Sequence, residues 1–384
     1  MISFEFSPEQ EAFRKELRKF AVTELAPRYA ERAAKAEYPF DAHQQLAELG
    51  LLGIGLPEKY GGTGEPDPVM LGLAAETLAY GDINVASAPI LTGLVAEQLA
   101  AQGQDEVIGE YVPRLISGEI VAAIAVTEPS VGSDAASLAC VARPVDGGWR
   151  IAGEKIAITH ATSAAVALVY ARDPGSADHR GVSCYAVPLD AVGVTRGHIP
   201  GMGCAPLCWG TLSFDEVFVP STHLVGAPGR GFQGAMHHFD FSRPGLGLLC
   251  LGAAQASIDE AVSWAQQRQA FGRPIAAFQG VSFPLAEHAT EMEAARWLCY
   301  RALWLRSVGK PHTDLAAMAK CWPPKVAKEA IETAWVTHGN LGYSTEMPIQ
   351  QRLRDVSAYL VADGSAGIQK RIIATTMLGA VAAL

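Results

Sequence analysis

Residues 125–134 read Ala-Val-Thr-Glu-Pro-Ser-Val-Gly-Ser-Asp, a passage from apolar residues into a polar, glycine-containing turn. Apolar Ile124, Ala125 and Val126 suit a short strand. The strand then breaks into a loop in which two hydroxyls, Thr127 and Ser133, flank Pro129 and Gly132. Lacking a side chain, Gly132 lets the backbone come close to a flat ligand. The hydroxyls and loop N–H groups can hydrogen-bond the polar edge of such a ligand. For Thr127-Glu128-Pro129 alone, an ordinary strand exit is the better account.

On either side the texture changes. Residues 1–119 are rich in Ala, Leu and Glu with helical spacing, as in Leu71, Leu73, Ala74 and Leu78. They are broken by turns such as Gly61-Gly62-Thr63-Gly64. Ser7-Pro8-Glu9-Gln10 predicts a capped helix start, with a hydroxyl, a proline and a glutamine in the right order. Residues 120–235 carry short β-type runs between turns: Trp149-Arg150-Ile151 after Asp146-Gly147-Gly148, then Ser183 to Val187, Leu212 to Phe214 and Val217 to Pro220. Gly226 to Phe232 reads as a glycine-rich connector. Residues 236–384 return to helix, with long stretches expected over 244–268, 279–308 and 313–338 and a last helix from about 366. Pro323-Pro324 must start, kink or interrupt the third. Helices, a small β unit and four more helices predict an α+β plan in which the middle segment covers one side of a bundle.

Composition narrows the function classes. The 384 residues are 49% hydrophobic but only 18% charged, against a usual charged share of about 25%, which suggests surface buried between subunits. A net charge of −10 and the lack of a long basic run argue against a nucleic-acid partner. The seven cysteines are scattered without a Cys-x-x-Cys, which suits free thiols in a reducing compartment. Cys204 and Cys208 have no further Cys or His pair spaced to complete a metal site, so no metal is expected. No basic-then-apolar leader is present and no apolar run approaches a span of about 18 residues. The expectation is a cytoplasmic protein without a membrane.

Further segments carry chemistry. Gly153-Glu154-Lys155-Ile156-Ala157-Ile158-Thr159 follows a turn as a strand would. Arg268-Gln269-Ala270-Phe271-Gly272-Arg273-Pro274 leads to Phe278-Gln279. Gly339-Asn340-Leu341-Gly342-Tyr343 ends a helical stretch, and Arg352-Leu353-Arg354-Asp355 precedes Ala362-Asp363-Gly364-Ser365. Each has a plain reading too: a solvent-facing strand threonine at Thr159, an arginine closing a helix at Arg268, helix-ending glycines at 339 and 342, and a helix cap at Asp363. Taken together and in this order, they resemble the acyl-CoA dehydrogenase family along essentially the whole chain.

The resemblance implies an N-terminal helical domain, a middle β domain and a C-terminal four-helix bundle, with FAD between the last two. The Thr127–Ser133 segment matches the flavin-binding loop, so Thr127, Gly132 and Ser133 are implied as cofactor contacts, Ser133 also facing substrate. Thr159 is implied beside the flavin's reactive nitrogen, where a hydroxyl stabilises charge developing on the ring. Arg268, Phe271 and Gln279 are implied to reach the adenosine diphosphate half of FAD on a neighbouring subunit, a task suited to a planar guanidinium. Gly339 and Gly342 match a turn near the pyrophosphate, and Ser365 a further cofactor contact. Val336 stands where the family usually has a Gln.

The implied reaction is α,β-dehydrogenation of an acyl thioester. The base in the family is usually a Glu in a Tyr-Glu-Gly-Thr-type turn, and the matching residues are Ala362, Asp363, Gly364 and Ser365. Asp363 is still a carboxylate but one methylene shorter. The second base position known in relatives is Ser242, which leaves Asp363 as the only carboxylate at either site. Its backbone N–H and a ribityl hydroxyl of FAD would polarise the thioester carbonyl. Arg243 matches an arginine near the base, and Asp240 a substrate contact. Ala157 and Ala362 replace a Trp and a Tyr, which predicts a bulky acyl group (branched, cyclic or aromatic) near the α-carbon. The family pattern implies a homotetramer, a dimer of dimers, that passes electrons to an electron-transferring flavoprotein. Three alternatives keep the fold: a non-dehydrogenase flavoenzyme, a non-catalytic flavin-binding subunit in which Asp363 is only a cap, and a dehydrogenase of carrier-protein thioesters.

Overall fold

The computed structural model describes residues 5–176 and 178–379. The outermost ends of the first and third expected segments, 1–4 and 380–384, and Ala177 lie outside the described residues. The amino-terminal part folds as α1 (Pro8–Phe20), α2 (Tyr29–Ala33), α3 (Phe40–Glu48), α4 (Pro68–Ala79), α5 (Ile83–Ala86), α6 (Ala88–Gln102) and α7 (Asp105–Ile116). The expected cap forms. Ser7 Oγ accepts the Gln10 N–H at 3.2 Å while the Ser7 N–H donates to Gln10 Oε1 at 2.9 Å, so two otherwise orphaned donors are satisfied reciprocally. One expectation needs correction. Ile83–Gln102 is 20 residues long and apolar enough by composition to cross a membrane, yet 83% of its most apolar window is buried inside the structure. Its apolarity is that of a core element, shared between α5 and α6.

The middle part holds β1 (Ala122–Ala125), β2 (Val141–Val145), β3 (Gly148–Ile158), β4 (Val166–Arg172), β5 (Val182–Pro188), β6 (Val194–His198), β7 (Gly210–Pro220) and β8 (Leu224–Val225). They form one sheet in the order β6-β7-β3-β2-β4-β5-β8, with β1 pairing parallel to β4 in the register Ala125↔Val169. β1 therefore delivers the chain into the Thr127 loop at the sheet's margin. β3 is bulged between Lys155 and Ile158. Ala157, inside that bulge, has φ +56°, a left-handed conformation that turns the strand end out of the ladder.

The carboxyl-terminal part begins with α8 (Gly231–Gln267), a 37-residue helix. A hairpin of β9 (Gln269–Ala270) and β10 (Arg273–Pro274) follows, turning on Phe271 and Gly272 with φ of +51° and +77°. Then come α9 (Gln279–Ser307), α10 (Thr313–Cys321), α11 (Pro323–His338), α12 (Asn340–Tyr343), α13 (Ile349–Ala358) and α14 (Ala366–Leu378). Two boundaries differ from expectation. α8 starts inside the glycine-rich connector, well before residue 244, because its packing absorbs Pro244 in mid-helix. The third expected helix breaks at Trp322, and Pro323 opens α11 at the position where a missing N–H is harmless.

Three apolar clusters organise the whole. The first joins α4, α5, α8, α9, α11 and α13. The second packs α6 and α7 on one sheet face and includes Val126, with Phe239 of α8 against it. The third fills the other face of the sheet. The second cluster sets the start of α8 beside the exit of β1.

Candidate active site

The Thr127 loop is held from beneath by a buried ion pair. Lys155 on β3 is 0% exposed at its side chain; its Nζ donates to Glu128 Oε1 at 2.8 Å and to the Val126 carbonyl at 3.0 Å. Glu128 also accepts the N–H groups of Ala139 (2.5 Å) and Cys140 (2.9 Å). A buried charge persists only when paired and hydrogen-bonded in this way. The Ile156 N–H donates to the Thr127 carbonyl at 2.9 Å, so loop and strand move as one piece. Thr127 and Thr159 are half-buried, while Gly132, Ser133 and Ala157 are exposed. Thr159 lies one residue past β3, beyond the strand ladder. Among the described residues, the Thr127, Ser133 and Thr159 hydroxyls have no intramolecular partner, and nothing stands within 4 Å of where a Gly132 Cβ would be.

The turn between α13 and α14 brings Asp363 to α8. Asp363 and Gly364 have φ of +50° and +89°. Gln369, fully buried on α14, donates from Nε2 to the Asp363 (3.3 Å) and Gly364 (3.1 Å) carbonyls. The Ser242 hydroxyl lies 3.3 Å from Asp363 Oδ2. Asp363 does not cap α14: the cap position is Ser365, without a side-chain cap bond. That overturns the plain reading of Asp363, because the left-handed turn aims its carboxylate at α8 rather than along the helix that follows. Among the described residues, the Asp363 N–H has no intramolecular acceptor.

Two buried cations surround this carboxylate without hydrogen-bonding it. Arg243 pairs with Asp240 at 2.7 Å; burial presses its guanidinium below the ordinary value, opposed by Asp240 and then Asp363. Lys320 on α10 donates to the Tyr359 carbonyl at 2.5 Å, and burial lowers it too, with Asp363 the first opposing influence. Asp240 spends one oxygen on Arg243 and the other on the Thr313 hydroxyl at 2.6 Å, so its first role is to hold Arg243. Ala362 is exposed. Lys320 and Thr313 belong to no motif in the sequence, and Glu128 and Lys155 stand in motif segments that give no local sign that the two pair.

The remaining predicted contacts lie elsewhere on the chain. Arg268 closes α8, its N–H donating to the Trp264 carbonyl at 2.8 Å. Its exposed guanidinium has no acidic partner among the described residues. Phe271 is 96% exposed and Gln279 opens α9. Gly339, with φ +61°, ends α11, and Gly342 packs so tightly that a Cβ would stand 2.5 Å from the Trp335 carbonyl. From Ser242 to Arg268 the helix rises roughly 38 Å, so one chain does not bring Arg268, Phe271 and Gln279 to its own Asp363.

These features fit FAD. Unpartnered hydroxyls and an open glycine on the Thr127 loop suit the polar edge of a flavin, and an exposed unpaired guanidinium suits a diphosphate.

Comparison with known proteins follows the same division of the chain. Residues 7–119, 123–217 and 229–378 match the models of the acyl-CoA dehydrogenase N-terminal, middle and C-terminal domains. An acyl-CoA dehydrogenase of Bacillus subtilis is 36% identical over 97% of this chain and 98% of its own. Benzylmalonyl-CoA dehydrogenase of Aromatoleum aromaticum is 34% identical over 97% and 99%. The structure of butyryl-CoA dehydrogenase from Megasphaera elsdenii superposes with a TM-score of 0.94 at 31% identity, covering 98% of this chain and 100% of that one.

Proposed function

Because the chain belongs to the acyl-CoA dehydrogenase family and is an FAD-dependent oxidoreductase acting on CH–CH groups, we propose that it desaturates a bulky acyl-CoA thioester with Asp363 as the α-proton base. One observation carries the base assignment: the carboxylate turns to Ser242 on α8, 3.3 Å away, and leaves the α14 terminus uncapped. A carboxylate with no capping role and a single side-chain hydrogen-bond partner is placed to accept a proton.

FAD, when bound, supplies the hydride acceptor for the β-hydrogen. The chain does the rest. The unbonded Asp363 N–H polarises the thioester carbonyl, which stabilises the forming enolate. Asp363 takes the α-proton through its carboxylate oxygen. Thr127, Ser133 and Thr159 hold the flavin from the loop and strand that the Glu128–Lys155 pair fastens together. Arg243 and Lys320 set the local field.

Ala157 and Ala362 support a bulky substrate, since both offer only a methyl and both are exposed. A relative 34% identical over nearly the whole chain bears an aromatic, branched acyl group in its name. The distance along α8 from Ser242 to Arg268 supports a site completed by another protomer's Arg268, Phe271 and Gln279, as in the homotetramer that the family pattern implies. Electrons then pass to an electron-transferring flavoprotein.

Anaerobic titration with straight, branched, cyclic and aromatic acyl-CoAs tests the reading through bleaching of the flavin band. The branched, cyclic or aromatic class should bleach it fastest; a straight-chain thioester in first place overturns the substrate assignment. Asp363→Asn should keep FAD and slow bleaching about a thousandfold or more. Wild-type bleaching by that variant moves the base elsewhere.

A further inference from the structure

We propose that Ser242 is the positioning residue of the base, its single hydroxyl proton alternating between Asp363 and the Phe239 carbonyl as the carboxylate gains and loses the substrate proton. The inference rests on Asp363 being the base. Ser242 is 1% exposed, so solvent does not compete for it. Its Oγ stands 3.3 Å from the Phe239 carbonyl one turn back and 3.3 Å from Asp363 Oδ2. A hydroxyl has one proton and two lone pairs, so it serves one of these acceptors at a time.

The choice follows the charge. An ionised carboxylate is the stronger acceptor, so before the reaction the Ser242 proton lies toward Asp363 and fixes which way the carboxylate faces. When Asp363 takes the α-proton, the C–H bond breaks, its electron pair stays on the substrate, and the carboxyl becomes a neutral O–H donor. The Ser242 proton then swings to the Phe239 carbonyl, and its Oγ is free to accept from Asp363. Ser242 neither gains nor loses a proton. In both states the Ser242 proton has an acceptor at 3.3 Å without backbone movement, as a pre-organised site requires.

The surroundings leave this task to Ser242. Among the described residues no other side chain hydrogen-bonds the Asp363 carboxylate. Arg243 from α8 is held by Asp240, Lys320 from α10 by the Tyr359 carbonyl, and Tyr359 presents its phenol from the end of α13. Gln369 fixes only the backbone of the turn, in which Gly364 stands at φ +89° with the place of a Cβ 2.5 Å from Gln369 Nε2. A carboxylate on a short arm, carried by a rigid turn, depends on the one hydroxyl that meets it.

Rapid-mixing flavin reduction with Ser242→Ala, Ser242→Thr and, separately, Asp363→Asn tests the proposal. Ser242→Ala should slow reduction about ten- to a hundredfold, leave the half-saturating substrate concentration within about twofold, and keep its FAD. The acidic limb of its pH–rate profile should move to higher pH, and Ser242→Thr should restore most of the rate. If Ser242→Ala reduces at the wild-type rate while Asp363→Asn does not reduce, the positioning role fails and the base stands. Equal losses in Ala and Thr variants with an unmoved pH profile assign Ser242 to packing and overturn the proposal. An active Asp363→Asn removes the base reading and this inference together.

Discussion

Asp363 and Ala157 are both non-glycine residues in the left-handed region, at φ +50° and +56°, and each costs on the order of 1–2 kcal/mol relative to an ordinary conformation. At Asp363 the strain directs a short carboxylate toward α8. At Ala157 it turns a methyl outward where a large ring would otherwise fill the space. Restoring bulk should therefore act on substrate shape before anything else. If the proposed bulky substrate is correct, Ala362→Tyr and Ala157→Trp should each lower kcat/KM for branched, cyclic or aromatic thioesters about tenfold or more, with straight-chain thioesters changed less than about threefold. Equal losses on all shapes count against an enlarged site. The residue types at these positions are legible in the chain; the conformations that aim them are not, because no local pattern requires φ above zero at an alanine or an aspartate.

Among the elements, the junction of β1, its loop and β3 depends most on a single pair. Glu128 and Lys155 lie 27 residues apart and are both almost fully buried. Removing one partner strands the other charge, whereas removing both leaves neutral groups. Lys155→Met should cost about 3–5 kcal/mol, and the Glu128→Gln, Lys155→Met double variant distinctly less, with urea unfolding as the measure. Flavin released by the single variant and retained by the double would tie the pair to the cofactor loop. A double variant no more stable than the single would show that the two side chains do not act as a unit. The same scale explains the displaced start of α8. Pro244 reads as a helix opener, yet the contacts of residues on both sides of it keep the helix running through.

For the whole molecule, pH and assembly are the informative variables. Burial lowers His43, His160 and His238 to about 4 each. Their folded values lie below the unfolded one, so their stabilisation is complete above about pH 6.5 and is lost as the pH falls towards 4. Asp82, pushed up to about 6 by burial, works the other way, its contribution lost as the pH rises. Three groups outweigh one. Between pH 7 and 5 each of the three histidines should cost about 2 kcal/mol, while Asp82 returns about 1 against the three together. Asp355, also raised by burial, acts in the same sense as Asp82. Urea midpoints at the two pH values check this, and His160→Gln should flatten the slope; equal stability at both would contradict the buried neutral histidines. For assembly, Arg268→Ala should weaken FAD retention about tenfold or more while leaving the protomer folded. Undiminished retention would detach Arg268 from the cofactor.

The sequence by itself determined what depends on near neighbours: the Ser7–Gln10 cap, the alternation of helical and β texture, the proline that opens α11, and a motif order specific enough to name the family. Tertiary structure decided what depends on distant ones. Asp363 meets Ser242 across 121 residues, and Asp355 accepts the Tyr29 hydroxyl across 326 residues. Whether Asp363 caps a helix or faces α8 depends on how α8, α13 and α14 pack. The physical reason is range. Hydrogen bonds three or four residues apart and periodic burial are written in local order, whereas the partner and burial of a charged side chain are set by whichever element the packed core brings against it.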